Sequence, residues 1–149
     1  VKLFQIEEPD GAPFDPDAPG AAVGIDATGA RGEVAFAIGG NAVSLEDREG
    51  FAVELPVPAA GAAAKDWQTF FEGARLRAER ALGRPVTHAV IVMGAAVEPI
   101  VLDRMKGAAE AVGLFLLDVM SWKAVGTAEP PSLAAAVLAE DLAPRPEAP

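Results

Sequence analysis

Cysteine is absent from the 149 residues, which excludes a disulfide framework, a thiolate nucleophile and a cysteine-based zinc site. Histidine is nearly absent: His88 is the only one, so it has no partner of its own type for holding a metal. No apolar run approaches the roughly 18 to 20 residues that span a bilayer, although 51% of the residues are hydrophobic. A basic-then-apolar leader is missing, and export finds no support. Basic residues are in deficit, 12 Lys+Arg against 22 Asp+Glu, for a net charge of -10. Such a chain repels a phosphate backbone unless a local basic stripe compensates. Arg75, Arg77, Arg80 and Arg84 are the one grouping, and Glu72 and Glu79 interrupt it as on a solvated helix face. Neither nucleic acid nor a membrane is an expected partner, and the expected location is the cytoplasm. Walker-type Gly-Lys-Ser/Thr loops, Gly-x-Gly-x-x-Gly and Gly-x-Ser-x-Gly elbows are missing as well.

What is present centres on Leu82–Ser121. Val86–Met93 is a compact run rich in Val and Ile, with Arg84-Pro85 before it and Gly94 after it, and it reads as a buried strand. Pro99 suits a first helical position, where its missing N–H would have been unpaired anyway. Ile100, Val101, Leu102, Met105, Ala108, Ala109 and Val112 recur at helical spacing, and Gly113 stops the helix. Leu114–Met120 is a second apolar strand. Two apolar strands joined by a helix imply a right-handed crossover in a parallel sheet covered on both faces.

Ahead of that unit, Val1–Glu8 is strand-like, and Pro9–Gly20 has the prolines, aspartates and glycines of an arm that Phe14 could pin. Ala21–Asp26, Glu33–Ile38, Ala42–Leu45 and Phe51–Leu55 read as short antiparallel strands, with a hairpin at Gly39-Gly40-Asn41. Pro56–Ala64 is expected to be a mobile linker. Asp66 is expected to cap a helix to about Leu82, with Trp67, Phe70, Phe71, Ala74, Ala78 and Ala81 inward and Leu76 on the polar side. Ser132 is expected to cap a last helix, Leu133–Leu142. The organisation is thus an arm (1–20), one domain (21–142) and a Pro-rich tail (143–149).

One local feature carries possible chemistry: Gly24-Ile25-Asp26-Ala27-Thr28-Gly29. A carboxylate ending an apolar strand, followed by a small-residue turn, sets a negative group beside exposed N–H groups. That pairing suits a hydrated Mg²⁺ with a phosphate in the turn. On local grounds the same residues better suit an Asp that bonds its own backbone and forms the turn.

The order of elements and several local words resemble the first lobe of the actin and heat-shock-chaperone ATPase superfamily. Val23-Gly24-Ile25-Asp26 resembles its first phosphate loop, and Leu82–Val92 its helix-to-strand passage. Ala108–Leu117 is similar to its next helix and strand, and Glu129–Ala136 to the segment opening the helix after that. The resemblance implies an α/β, ribonuclease H-like mixed sheet, an antiparallel meander followed by parallel βαβ, with helices on both faces. It also marks departures. Ala27-Thr28-Gly29-Ala30 stands where the family has Gly-Thr-Thr, and Pro56–Ala64 where it carries its catalytic lysine. The family's glutamate falls on Trp122 or on Glu129, and a second lobe is missing.

The function expected from these points is a non-catalytic, single-lobe relative acting as a protein-binding or assembly module without a cofactor. A second copy or the Pro-rich arm would cover the face of the missing lobe, and a homodimer or a protein partner is expected. The alternative is an Mg²⁺- and ATP-binding protein that completes its site in a dimer. Asp26 would then hold Mg²⁺ through water, Thr28 and Gly29 would contact phosphate, and Glu129 would position water. A third reading is a ribonuclease H-type nuclease using Asp26 and Asp118 with two metals.

Overall fold

The computed structural model describes residues 20–45, 55–122 and 130–144. The strand expected at Val1–Glu8, the arm with Phe14, the charged turn at 46–50 and Glu129 lie outside them, as does all of Phe51–Leu55 except Leu55. Among the described residues, five strands and three helices run in chain order as β1 (Ala21–Ala27), β2 (Glu33–Ile38), β3 (Asn41–Ser44), α1 (Ala64–Leu82), β4 (Val86–Met93), α2 (Pro99–Ala111), β5 (Phe115–Ser121) and α3 (Pro131–Leu142). The strands form one mixed sheet in the order β3-β2-β1-β4-β5. β1, β2 and β3 are an antiparallel meander, while β4 lies parallel to β1 and β5 parallel to β4. This is the α/β architecture expected from the sequence.

Two-residue periodicity splits the sheet's side chains between two unlike layers. Val23, Ile25, Ala89, Ile91 and Leu116 join the aromatic face of α1 and the Val101, Met105, Ala108, Ala109 stripe of α2. Trp67 and Phe71 stack with centroids 5.8 Å apart, and Phe70 meets Trp67 edge-on at 5.9 Å. On the opposite face, Ala22, Val90 and Val92 pack against Ala135 and Ala139 of α3, and Ala35 and Ala37 against Ala136. Helices therefore cover both faces.

Several local expectations need correcting. Asp66 does not cap α1: the N-cap is Ala63, which makes no side-chain bond, and Asp66 sits in the first turn, where its charge meets the helix dipole. Alanine is the best helix former, so Ala64 extends the helix back past the expected cap. Ser132 does not cap α3 either. Pro131 takes the first helical position and Ser132 is driven inward, 3% exposed. Ile100 is 66% exposed, because the buried stripe of α2 begins at Val101 and Ile100 lies about 100° round from it.

Pro56–Ala64 is not a loose linker. The Gly32 N–H donates to Leu55 O (2.7 Å), the Val57 N–H to Ala30 O (3.0 Å), and Arg104 of α2 gives a guanidinium N–H to Ala62 O (3.2 Å). Leu55 is buried, and Pro56 bridges Arg31 in an antiparallel pair. Low complexity misled here because backbone groups, blind to side-chain identity, do the anchoring.

Candidate functional site

Parallel β1, β4 and β5 all end on one side of the sheet, where crevices of α/β proteins open. Asp26 stands at that end of β1, in register with Val92 of β4. Its half-buried carboxylate is already engaged: Oδ1 accepts the Thr28 N–H at 2.8 Å and the Thr28 hydroxyl at 2.6 Å. One oxygen thus draws both Thr28 donors back onto the strand end, the self-contained turn that the sequence left open as an alternative. Gly29 is exposed, and a Cβ built on Gly94 would stand 3.4 Å from Thr28 O, so the β4 end lies against the turn. Asp26, Thr28 and Gly29 are therefore contiguous.

Gly24 belongs to a different task. A Cβ on it would lie 2.2 Å from the Ala136 N of α3 and 2.6 Å from the Ala135 carbonyl carbon. The helix backbone rests directly on β1 there, and only a residue without Cβ permits it. Strand alternation puts Asp26 on that same face. At the far end of α3, Glu140 accepts the Gly39 N–H (2.5 Å) and the Gly40 N–H (2.9 Å) of the β2–β3 turn. Both glycines have positive φ, 60° and 86°, as a two-residue hairpin turn requires. Since that turn lies beyond the Ala21 end of β1, α3 runs antiparallel to β1 with its first turn toward Asp26. The positive end of the helix dipole faces the Asp26 end of the sheet.

The other candidates fall elsewhere. Asp118 pairs with Val90 on the far side of β4 from Asp26, and its Oδ1 accepts the Val119 N–H (2.8 Å). Two strand spacings across and two residues along the sheet put these residues about 12 Å apart, too far for both to ligate a pair of ions roughly 4 Å apart. Among the described residues no group of three His, Cys, Asp or Glu could hold a metal ion. Trp122, one of two candidates for the family's glutamate position, is half-buried in the apolar cluster with Met120 and Leu138. On α1, Glu79 pairs with Arg75 (3.0 Å) and also accepts the Val86 N–H (3.0 Å), tying the helix to the start of β4. Among the described residues no helix is long and apolar enough to cross a membrane.

His88 is packed rather than poised. Its Nδ1 lies 2.7 Å from Thr87 Oγ1, and its ring meets Phe115 edge-on at 5.7 Å. Burial holds its pKa below the ordinary 6.5. Between the folded and unfolded pKa values the unfolded chain binds more protons, so this contribution is present above pH 6.5 and lost as pH falls through the folded pKa. The melting temperature is expected to drop as pH falls below 6.5 toward the folded-state value. His88→Gln should flatten that segment of the profile in calorimetry.

The sequence reading missed one concavity. Between the 55–62 segment and the first half of α1 lies a pocket of about 520 Å³, lined by Leu55, Pro56, Val57, Pro58, Ala62 and Phe70, with Asp66 and Thr69 among its polar groups. The only signal for it was that Asp66, Thr69, Phe70 and Gly73 share one helical stripe. The chain matches no protein-family model and no curated protein.

Proposed function

We propose that this chain is a non-catalytic relative of the first lobe of actin and chaperone ATPases, serving as a cytoplasmic protein-binding or assembly module. The observation that carries the reading is the double hydrogen bond from Thr28 to one oxygen of Asp26. Both Thr28 donors, which would face phosphate, and one oxygen of Asp26 are engaged in the turn itself. Efficient phosphoryl transfer needs many positioned groups around the phosphates, and a single oxygen-bound turn supplies few. Exposed Ile38 and Val43 near one edge of the sheet, and Phe115 on the strand at the other, support association with a second copy or another protein. Light scattering across a concentration series is expected to show self-association, and a strict monomer would remove the homodimer part.

A second reading, an Mg-ATP site completed in a dimer, draws on the position of Asp26 at the carboxyl ends of the parallel strands. Calorimetric titration separates the two. At millimolar Mg-ATP we expect no saturable heat and no change in melting temperature. Saturable binding that Asp26→Asn abolishes would replace the assembly reading with the nucleotide one.

A further inference from the structure

The pocket beside α1 differs from an ordinary surface dent in its hydrogen-bonding inventory. Pro56 and Pro58 have no N–H to offer. The Val57 N–H is spent on Ala30 O, the Ala62 N–H on Ala59 O, and the Asp66 N–H on Ala63 O. Phe70 and Gly73 lie in the body of α1, where their N–H groups are taken by the helix. The Thr69 hydroxyl donates to Lys65 O at 3.1 Å and so turns lone pairs outward. The side chains at the polar side therefore offer acceptors, the Thr69 oxygen and the Asp66 carboxylate, beside an apolar wall of Leu55, Val57 and Phe70. A volume of about 520 Å³ holds a large side chain together with its flanking backbone.

We propose that this pocket receives a bulky apolar side chain of a partner protein whose neighbouring residue is Lys or Arg, with the cation set against Asp66. Charge points to that partner in two ways. Asp66 is the one acidic or basic residue of the lining, and the whole chain, at -10, draws cationic segments toward it. An acidic segment would meet the Asp66 carboxylate and the field of a chain at -10. The cation stays at the solvated rim, so Asp66 governs choice of partner more than strength of binding, while the apolar wall supplies most of the affinity. The inference rests on the protein-binding reading above and names the chemistry of its partner.

The test uses the full chain, ¹⁵N-labelled, titrated with acetyl-Phe-Lys-Leu-amide and with acetyl-Phe-Glu-Leu-amide while amide resonances are followed. The Lys peptide is expected to move the Val57, Ala62, Thr69, Phe70 and Gly73 amides saturably, with about fivefold tighter binding than the Glu peptide. Asp66→Asn should erase that preference yet keep the pocket shifts. Thr69→Trp, an exposed position on the lining, should fill the space and abolish the shifts without unfolding the chain. Equal binding of the two peptides, shifts confined to other residues, or no saturation at millimolar peptide would each overturn the inference. A parallel Mg-ATP titration keeps the two readings apart. Movement of the Asp26, Thr28 and Gly94 amides would sink the non-catalytic reading by itself, whereas a silent pocket with a silent turn sinks only the partner assignment.

Discussion

Gly24→Ala is expected to unfold the protein or to lift α3 from the sheet. The added Cβ would stand 2.2 Å from a backbone nitrogen of α3, and 2.7 Å from the Ala136 Cα. Neither atom can move aside by changing a rotamer. Relief requires shifting the whole helix, and α3 is held at both ends of its contact. Its inward residues are Ser132, Ala135, Ala136 and Ala139, too short to stay in contact across a widened gap. Glu140 meanwhile ties its last turn to the Gly39 and Gly40 amides. Overpacking relieved by side-chain movement costs about 1 to 3 kcal/mol, and this backbone collision should exceed that. Against a total stability of about 5 to 15 kcal/mol, the loss is decisive. Urea unfolding followed by far-ultraviolet circular dichroism measures it. A midpoint equal to the parent's would mean that α3 does not rest on β1.

Val90→Asp is the second large effect. Val90 is fully buried at the middle of β4, flanked in register by Gly24 of β1 and Asp118 of β5 and covered by α3. A carboxylate there loses its hydration and gains no cation among the packed residues of that cluster, a cost of several kcal/mol. The half-buried Asp118 on the next strand adds like-charge repulsion. Both effects raise the folded-state pKa of the new carboxyl. The folded state then binds more protons than the unfolded one, so the defect should shrink as pH falls through the raised value. Thermal melts across pH check the sign as well as the size. An unchanged melting temperature at neutral pH would contradict the interior position of β4.

How much of this was legible in advance varied with the range of the interaction. The strands expected at Val86–Met93 and Leu114–Met120, found at Val86–Met93 and Phe115–Ser121, follow from near-continuous apolar runs, and the aromatic face of α1 from helical periodicity. Helix starts at Asp66 and Ser132 were misplaced, because cap chemistry yielded to alanine propensity in one case and to a proline at the first helical position in the other. The 55–62 segment looked loose since its anchors are backbone groups of distant residues, Ala30 and Gly32, together with Arg104 of α2. No composition rule can see those.

At the candidate site the division is sharper. That Asp26 ends a strand and opens a small-residue turn is a property of adjacent residues, and the chain by itself determines it. So are the absence of cysteine, the acidic balance and the βαβ order, all of which follow from local identity and spacing. Whether the Asp26 carboxylate turns inward to Thr28, whether Gly24 serves a ligand or a helix, and whether 55–62 walls a pocket were decided only in three dimensions. The bonds between Asp26 and Thr28 span two residues and settle between two local alternatives that the residues themselves offered. The Gly24 contact depends instead on a helix backbone more than a hundred residues away, and the pocket wall on Ala30, Gly32 and Arg104. Short-range preferences, worth about 1 kcal/mol or less per residue, cannot specify such approaches, whereas the packing of whole layers can.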